Sequence, residues 1–231
     1  MKNLSGILFF CLIALCSCKE QAITPQPATM PTSEASARQG IEGNKSGGQT
    51  LPQPTIIQQV YVPANDLFAH TRCRAWRITW PTYPAGTSPN QIPTMFSVST
   101  GTPYSFNYLN NTSATTTYKT DFNLYHNNTL ASVYDMWSQL THVVGNTSML
   151  EQTWFNKSEY TAAQMETWVK GRPSNFETFW EHTVATTTEI ENYKQGDLFQ
   201  FRLVKQNRYG GIRIVSMTPR IIEVYLAEPN I

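Results

Sequence analysis

The sequence predicts a mainly-β (α+β) fold: a single domain of antiparallel strands carrying one or two short helices and ending in a three-stranded meander. Three observations lead there. Leu198 to Val204, Gly211 to Met217 and Ile221 to Leu226 alternate apolar and polar residues with the period of a strand. Only Thr161 to Lys170 shows a clear helical period. Charged residues are 14% of the chain and aromatics 12%. That balance suits a β-rich protein outside the cytoplasm better than a cytosolic helical enzyme.

Residues 1–17 read as a signal peptide. Lys2 supplies the positive start, and Ile7 to Ala14 supplies an apolar run far shorter than the roughly 20 residues that span a bilayer. Leu15-Cys16-Ser17-Cys18 then has the form of a bacterial lipoprotein cleavage box. Small Ser17 precedes the cut, and the Cys18 thiol would take a diacylglycerol, with a palmitate-type chain on the new amino terminus. The alternative is an ordinary secretory signal with an incidental cysteine. Lys19, not aspartate, follows Cys18, so no inner-membrane retention signal is present and the outer membrane is the expected address. Which face of that membrane is left open.

Residues 18–55 read as a tether. Pro25, Pro27, Pro31, Pro52 and Pro54, the Gly47-Gly48 pair and many Ser, Thr, Ala and Gln leave too little apolar area to offset conformational entropy. The globular domain is expected over 56–231. Ile56 to Val62 is β-branched and ends at Pro63, so it predicts a strand. In Arg74 to Trp80, Trp76, Ile78 and Trp80 share one face. Residues 81–93 contain four prolines and Gly86, hence a loop. Thr94 to Ser99 and Tyr104 to Tyr108 predict two short strands. Tyr118 to Tyr125 predicts another, with Lys119, Asp121 and Asn123 on its polar side.

Residues 126–157 lack a clean period and predict irregular structure with short helical turns. Thr161 can cap the following helix with Gln164 three residues on, Met165, Trp168 and Val169 share its face, and Gly171 stops it. Ser174 to His182 predicts a second short helix with Phe176, Phe179 and Trp180 together. In the terminal meander, Phe199, Phe201 and Leu203 are expected to face Ile212 and Ile214, and Ile222, Val224 and Leu226, over a single buried face.

Residues from about Met95 to Leu226 resemble a group of uncharacterised lipoproteins common in Bacteroidetes-type bacteria. The likeness rests on Met95 to Gly101, Asp121 to Tyr125 (D-x-x-x-Y), Trp154 to Lys157, Ser174-Asn175-Phe176, Gly196-Asp197 and Tyr209 to Ile214 (Y-G-x-I-x-I). It departs from that pattern at Gly211 and in a short turn before the last strand. The resemblance implies a location and a β-rich fold, and no reaction.

Common catalytic signatures are missing. The chain has no G-x-S-x-G elbow, H-E-x-x-H, Walker loop or dinucleotide fingerprint. Net charge is +1, no electrostatic footprint for nucleic acid. Cys73 is the one cysteine left beyond Cys18, and a small buried side chain is its expected role. His70, His126 and His142 are too scattered for metal-ligand spacing, and Glu177, Glu181 and His182 read as a solvated helix face. Asp66, Asp121, Asp135, Glu151 and Asp197 are carboxylates that a glycoside hydrolase would need in pairs, with Asp197 expected to support a turn. No cofactor and no metal is expected.

Aromatic residues in polar stretches are the positive hint. Trp154 and Tyr209 are expected to be exposed and able to stack on sugar rings. The expectation is a lipid-anchored envelope lipoprotein with a non-catalytic binding or structural role, in contact with the membrane, a glycan, a peptide or an envelope protein. The alternative is a hydrolase acting on an envelope or extracellular polysaccharide.

Overall fold

A computed structural model describes residues 45–46, 49–63, 71–107, 121–124, 128–134, 151–180 and 186–229. The chain divides into two units, Met1–Met30 and Pro31–Ile231, and every described residue belongs to the second. Cys18, most of the expected tether, Asp66, His70, His126, Asp135, Trp137, His142, Glu181 and His182 lie outside the described residues.

Strands β1 (Lys45–Ser46) and β2 (Gln49–Thr50) pair with each other. Strands β3 (Thr55–Tyr61) and β4 (Thr71–Thr79) follow. Next come β5 (Pro93–Ser97), β6 (Thr102–Ser105), β7 (Phe122–Asn123), β8 (Leu130–Ser132) and β9 (Thr153–Lys157). Helices α1 (Ala162–Gly171) and α2 (Asn175–Thr178) precede β10 (Glu189–Ile190), β11 (Leu198–Leu203), β12 (Arg208–Met217) and β13 (Arg220–Pro229).

The last three strands form the expected meander: β11 pairs antiparallel with β12, and β12 with β13. They sit at the heart of a six-stranded sheet of order β3-β4-β13-β12-β11-β9. A five-stranded sheet of order β10-β8-β7-β5-β6 packs on it. Alternation places Trp76, Ile78, Phe199, Phe201, Ile212, Ile214, Ile222 and Val224 on the inner face of the large sheet. Phe96, Val98, Phe122, Leu124 and Leu130 meet them from the small sheet. Phe122 anchors the seam, its ring centroid 5.2 Å from that of Phe201 and 6.0 Å from that of Phe155.

The expectation of a single buried face is corrected. The other face of the large sheet is covered by the helices, through Met165, Trp168, Val169, Phe176 and Trp180 packed with Cys73, Leu198 and Tyr209. This extra layer explains Gly211. A Cβ there would lie 2.7 Å from a Phe176 ring carbon and 3.0 Å from the Met165 methyl, so the missing side chain is what lets the helices sit on β12. The neighbouring Gly210 does the same on the inner face, where a Cβ would lie 2.1 Å from the Tyr225 carbonyl oxygen and 2.4 Å from Phe201.

Helix α1 begins as its sequence predicts but runs one residue further than expected, with Gly171 its last helical residue and Arg172 its C-cap. Thr161 Oγ1 accepts from Gln164 N at 3.2 Å and Gln164 Oε1 accepts from Thr161 N at 2.8 Å, a reciprocal capping box. Helix α2 is shorter than expected, a single turn that ends at Thr178 with Phe179 as its C-cap. Its expected common face also splits. Phe176 and Trp180 are buried, but Phe179 is 42% exposed and stacks on Trp168 at 5.3 Å.

Two further corrections concern the middle of the chain. Within 126–157, the described residues include two strands, β8 and β9, where irregular structure was expected. Sheet pairing with β11 and β7 overrides a weak local pattern there. The polar side of the segment around β7 is interior: Asp121 and Asn123 are both buried.

Candidate functional site

Strand β9 is an outer strand of the large sheet, and it carries the first predicted site residue. Trp154 pairs with Arg202 on β11, and Arg202 pairs with Tyr209 on β12. Three side chains from three strands therefore form one row on the helix-facing side. The Arg202 guanidinium carbon lies 5.7 Å from the Trp154 ring centroid and 5.5 Å from that of Tyr209, within cation–π range of both. Asn207, at φ 49°, accepts from Arg202 Nη2 at 2.9 Å and from the Tyr209 hydroxyl at 3.3 Å. The turn before β12 thus fixes the middle of the row and its Tyr209 end.

The structure brings Trp154 and Tyr209 together, but not as two exposed rings. Tyr209 is 9% exposed and sits among the helix-side cluster, 5.9 Å from Trp180. The expectation of its exposure is corrected: the polar residues Lys205 to Asn207 form the turn, while Tyr209 itself already lies in the strand beneath α2. Trp154 is half-buried and remains the accessible aromatic of the row.

One register step along, the same face carries Asn156 on β9 and Gln200 on β11, which pair directly across the sheet. Both are interior, at 3% and 1% exposure. Asn156 Oδ1, Gln200 Nε2 and Trp180 Nε1 have no protein hydrogen-bond partner. The sequence reading missed Arg202, Asn156 and Gln200, because strand alternation marks their face without saying what covers it.

A concave surface elsewhere was also missed. A shallow cleft of about 310 Å³ opens at the far end of the large sheet, lined by Trp80, Tyr83, Pro84, Ile92, Met217 and Arg220 among others. That is near the lower limit for a small-molecule site. Its residues come from the proline-rich loop after β4 and from the turn between β12 and β13, where Thr218–Pro219 is cis. Arg220 is fixed there by donating to Asn128 Oδ1 at 2.5 Å and to the Tyr193 hydroxyl at 2.9 Å.

The carboxylates have architectural partners. Asp121 is fully buried, and its Oδ2 accepts from Val98 N at 2.5 Å. Burial pushes its carboxyl up to about 7, with Glu151 adding to the rise and the Val98 N–H and Arg208 opposing it. Glu151 accepts from Lys205 N at 2.5 Å and from Gln206 Nε2 at 3.1 Å. Asp197 accepts from Lys194 N at 2.9 Å, the turn role that its position before β11 predicts. Glu228, also interior, gathers Arg72, Arg74 and Arg208 at 3.1, 2.9 and 2.6 Å. Glu177 is exposed.

Cys73 is completely buried, and desolvation holds its thiol far above the ordinary range, so it is a packed side chain and no thiolate nucleophile. Among the described residues, no group of His, Cys, Asp or Glu could hold a metal ion, and no helix is long and apolar enough to cross a membrane. Compared with protein-family models, with curated proteins and with solved structures, the chain matches none of them.

Proposed function

We propose that this protein is an outer-membrane-anchored lipoprotein, held by a lipid on Cys18, whose β domain is a non-catalytic module that binds a glycan of the cell envelope or its surroundings. The observation that carries the binding half is the row Trp154–Arg202–Tyr209. It offers a partly open indole on an outer strand, held in orientation by a guanidinium that is itself fixed by Asn207. Sugar rings present C–H faces to such an indole and hydroxyls to neighbouring polar groups. The anchor rests on Leu15-Cys16-Ser17-Cys18 behind its apolar run. Several acyl chains, each adding about 0.8 kcal/mol per buried methylene, would hold the chain at a membrane without a spanning helix.

The hydrolase reading gains no support from the candidate carboxylates among the described residues. Asp121, Glu151 and Asp197 each spend an oxygen on a backbone N–H, which suits a structural role better than proton transfer to a substrate. The test is a printed array of neutral and acidic oligosaccharides probed with the detergent-solubilised full chain. Retention on one saccharide class that is lost in Trp154→Ala supports the proposal. Equal retention of both proteins, or none by either, contradicts it.

A further inference from the structure

Native proteins leave few interior polar atoms without a hydrogen bond, because each such group costs free energy. Here three fall on one side of one sheet: Asn156 Oδ1, Gln200 Nε2 and Trp180 Nε1. All three side chains are more than nine-tenths buried. Asn156 and Gln200 face each other across β9 and β11, so an acceptor and a donor stand side by side on neighbouring strands, spaced about 4.8 Å apart. Each is two residues from a member of the aromatic row, Asn156 from Trp154 and Gln200 from Arg202, and strand alternation puts them on the same face.

We infer that Asn156 and Gln200 are the hydrogen-bonding floor of a saccharide site whose wall is Trp154, and that they recognise two adjacent hydroxyls of one sugar ring. This rests on the glycan-binding reading given above and names the groups that would confer its specificity. The chemistry fits the pattern. A hydroxyl both donates and accepts, so adjacent hydroxyls can give to Asn156 Oδ1 and take from Gln200 Nε2. The indole N–H of Trp180 offers a further donor. Arg202 is the neighbour of Gln200 two residues along the same face of β11. It is half-buried, one of its nitrogens donates to the neutral Asn207, its Nε has no partner, and it lies over two rings.

Site residues that hold polar atoms unpaired should cost stability, and structural ones should contribute to it. Gln200→Met and Asn156→Leu keep the side-chain volume and remove the orphaned atoms. The full chain and both variants would be tested on the oligosaccharide array and by thermal unfolding, with Tyr83→Ala in the distant cleft as control.

Array binding weakened by about tenfold or more in both amide variants, with an unchanged or higher unfolding midpoint and normal binding by Tyr83→Ala, supports the inference. Binding by the parent that the amide variants keep overturns it and leaves the broader glycan reading standing. If Tyr83→Ala is the variant that loses binding, the site is the cleft and the inference fails. Amide variants that lose both midpoint and binding assign these side chains to the fold and overturn it too. A parent that binds no saccharide removes the glycan reading and the inference together.

Discussion

Arg208 donates to the Glu228 carboxylate at 2.6 Å, across the strand pair that closes the C-terminal meander. Arg72 and Arg74 reach the other oxygen of the same carboxylate from β4. Three guanidinium groups therefore depend on one nearly buried charge. Glu228→Gln keeps the shape and removes that charge, and is expected to destabilise the fold by about 2–3 kcal/mol, somewhat below the cost of breaking a fully buried pair because the arginines are partly solvated. Denaturant unfolding measures it. The exposed Lys170–Glu166 pair on α1 is the contrast, and Glu166→Gln should leave the midpoint unchanged.

Asp121 sets a pH dependence of definite sign. Its carboxyl titrates near 7 in the folded chain, against 3.8 as the ordinary value. Between those values the folded state holds a proton that the unfolded state has released. Its contribution to stability is complete below about pH 4 and is lost as pH rises through 7. At ~1.4 kcal/mol per pK unit the loss amounts to a few kcal/mol. Asp121→Asn should flatten the urea midpoint between pH 5 and pH 8, because its carbonyl can still accept from Val98 N. A midpoint that depends on pH as much in the variant as in the parent would contradict this.

The paired glycines of β12 should rank by what surrounds them. Gly211→Ala presses on the Phe176 ring and the flexible Met165, and is expected to cost about 1–3 kcal/mol. Gly210→Ala meets a backbone carbonyl that cannot turn aside, and should cost more. Thermal midpoints in the order parent, Gly211→Ala, Gly210→Ala are the expected result.

The parts of this fold that are legible in the sequence are those where local pattern and tertiary packing agree. The meander shows itself because β11, β12 and β13 alternate over their whole length, and α1 because Thr161 and Gln164 make its start chemically explicit. Strands β7 and β8 have two and three residues, too few for a period to register. The second buried face of the large sheet was hidden because it is covered by helices of ten and four residues from elsewhere in the chain. For the same reason Tyr209 reads as exposed until α2 is placed over it. Trp154 could be nominated from its polar neighbours, but its alignment with Arg202 and the Asn156–Gln200 pair depends on strand register, which no local signal in β9 encodes.

Cys18→Ala addresses the anchor separately from the domain. The variant is expected to leave the membrane fraction or to accumulate with its first 17 residues attached. A processed variant that still fractionates with membranes, as judged by the mass of its amino-terminal peptide, would remove the lipoprotein reading.

The central claim is that Trp154 presents a sugar-binding face. Calorimetric titration of the saccharide best retained on the array into the full chain, and into Trp154→Ala, tests it most directly. Base–aromatic contacts elsewhere suggest the scale, roughly 1–3 kcal/mol per stacked ring, so the account predicts affinity weakened by about tenfold or more in the variant with its unfolding midpoint little changed. Equal affinity in the two proteins would contradict it.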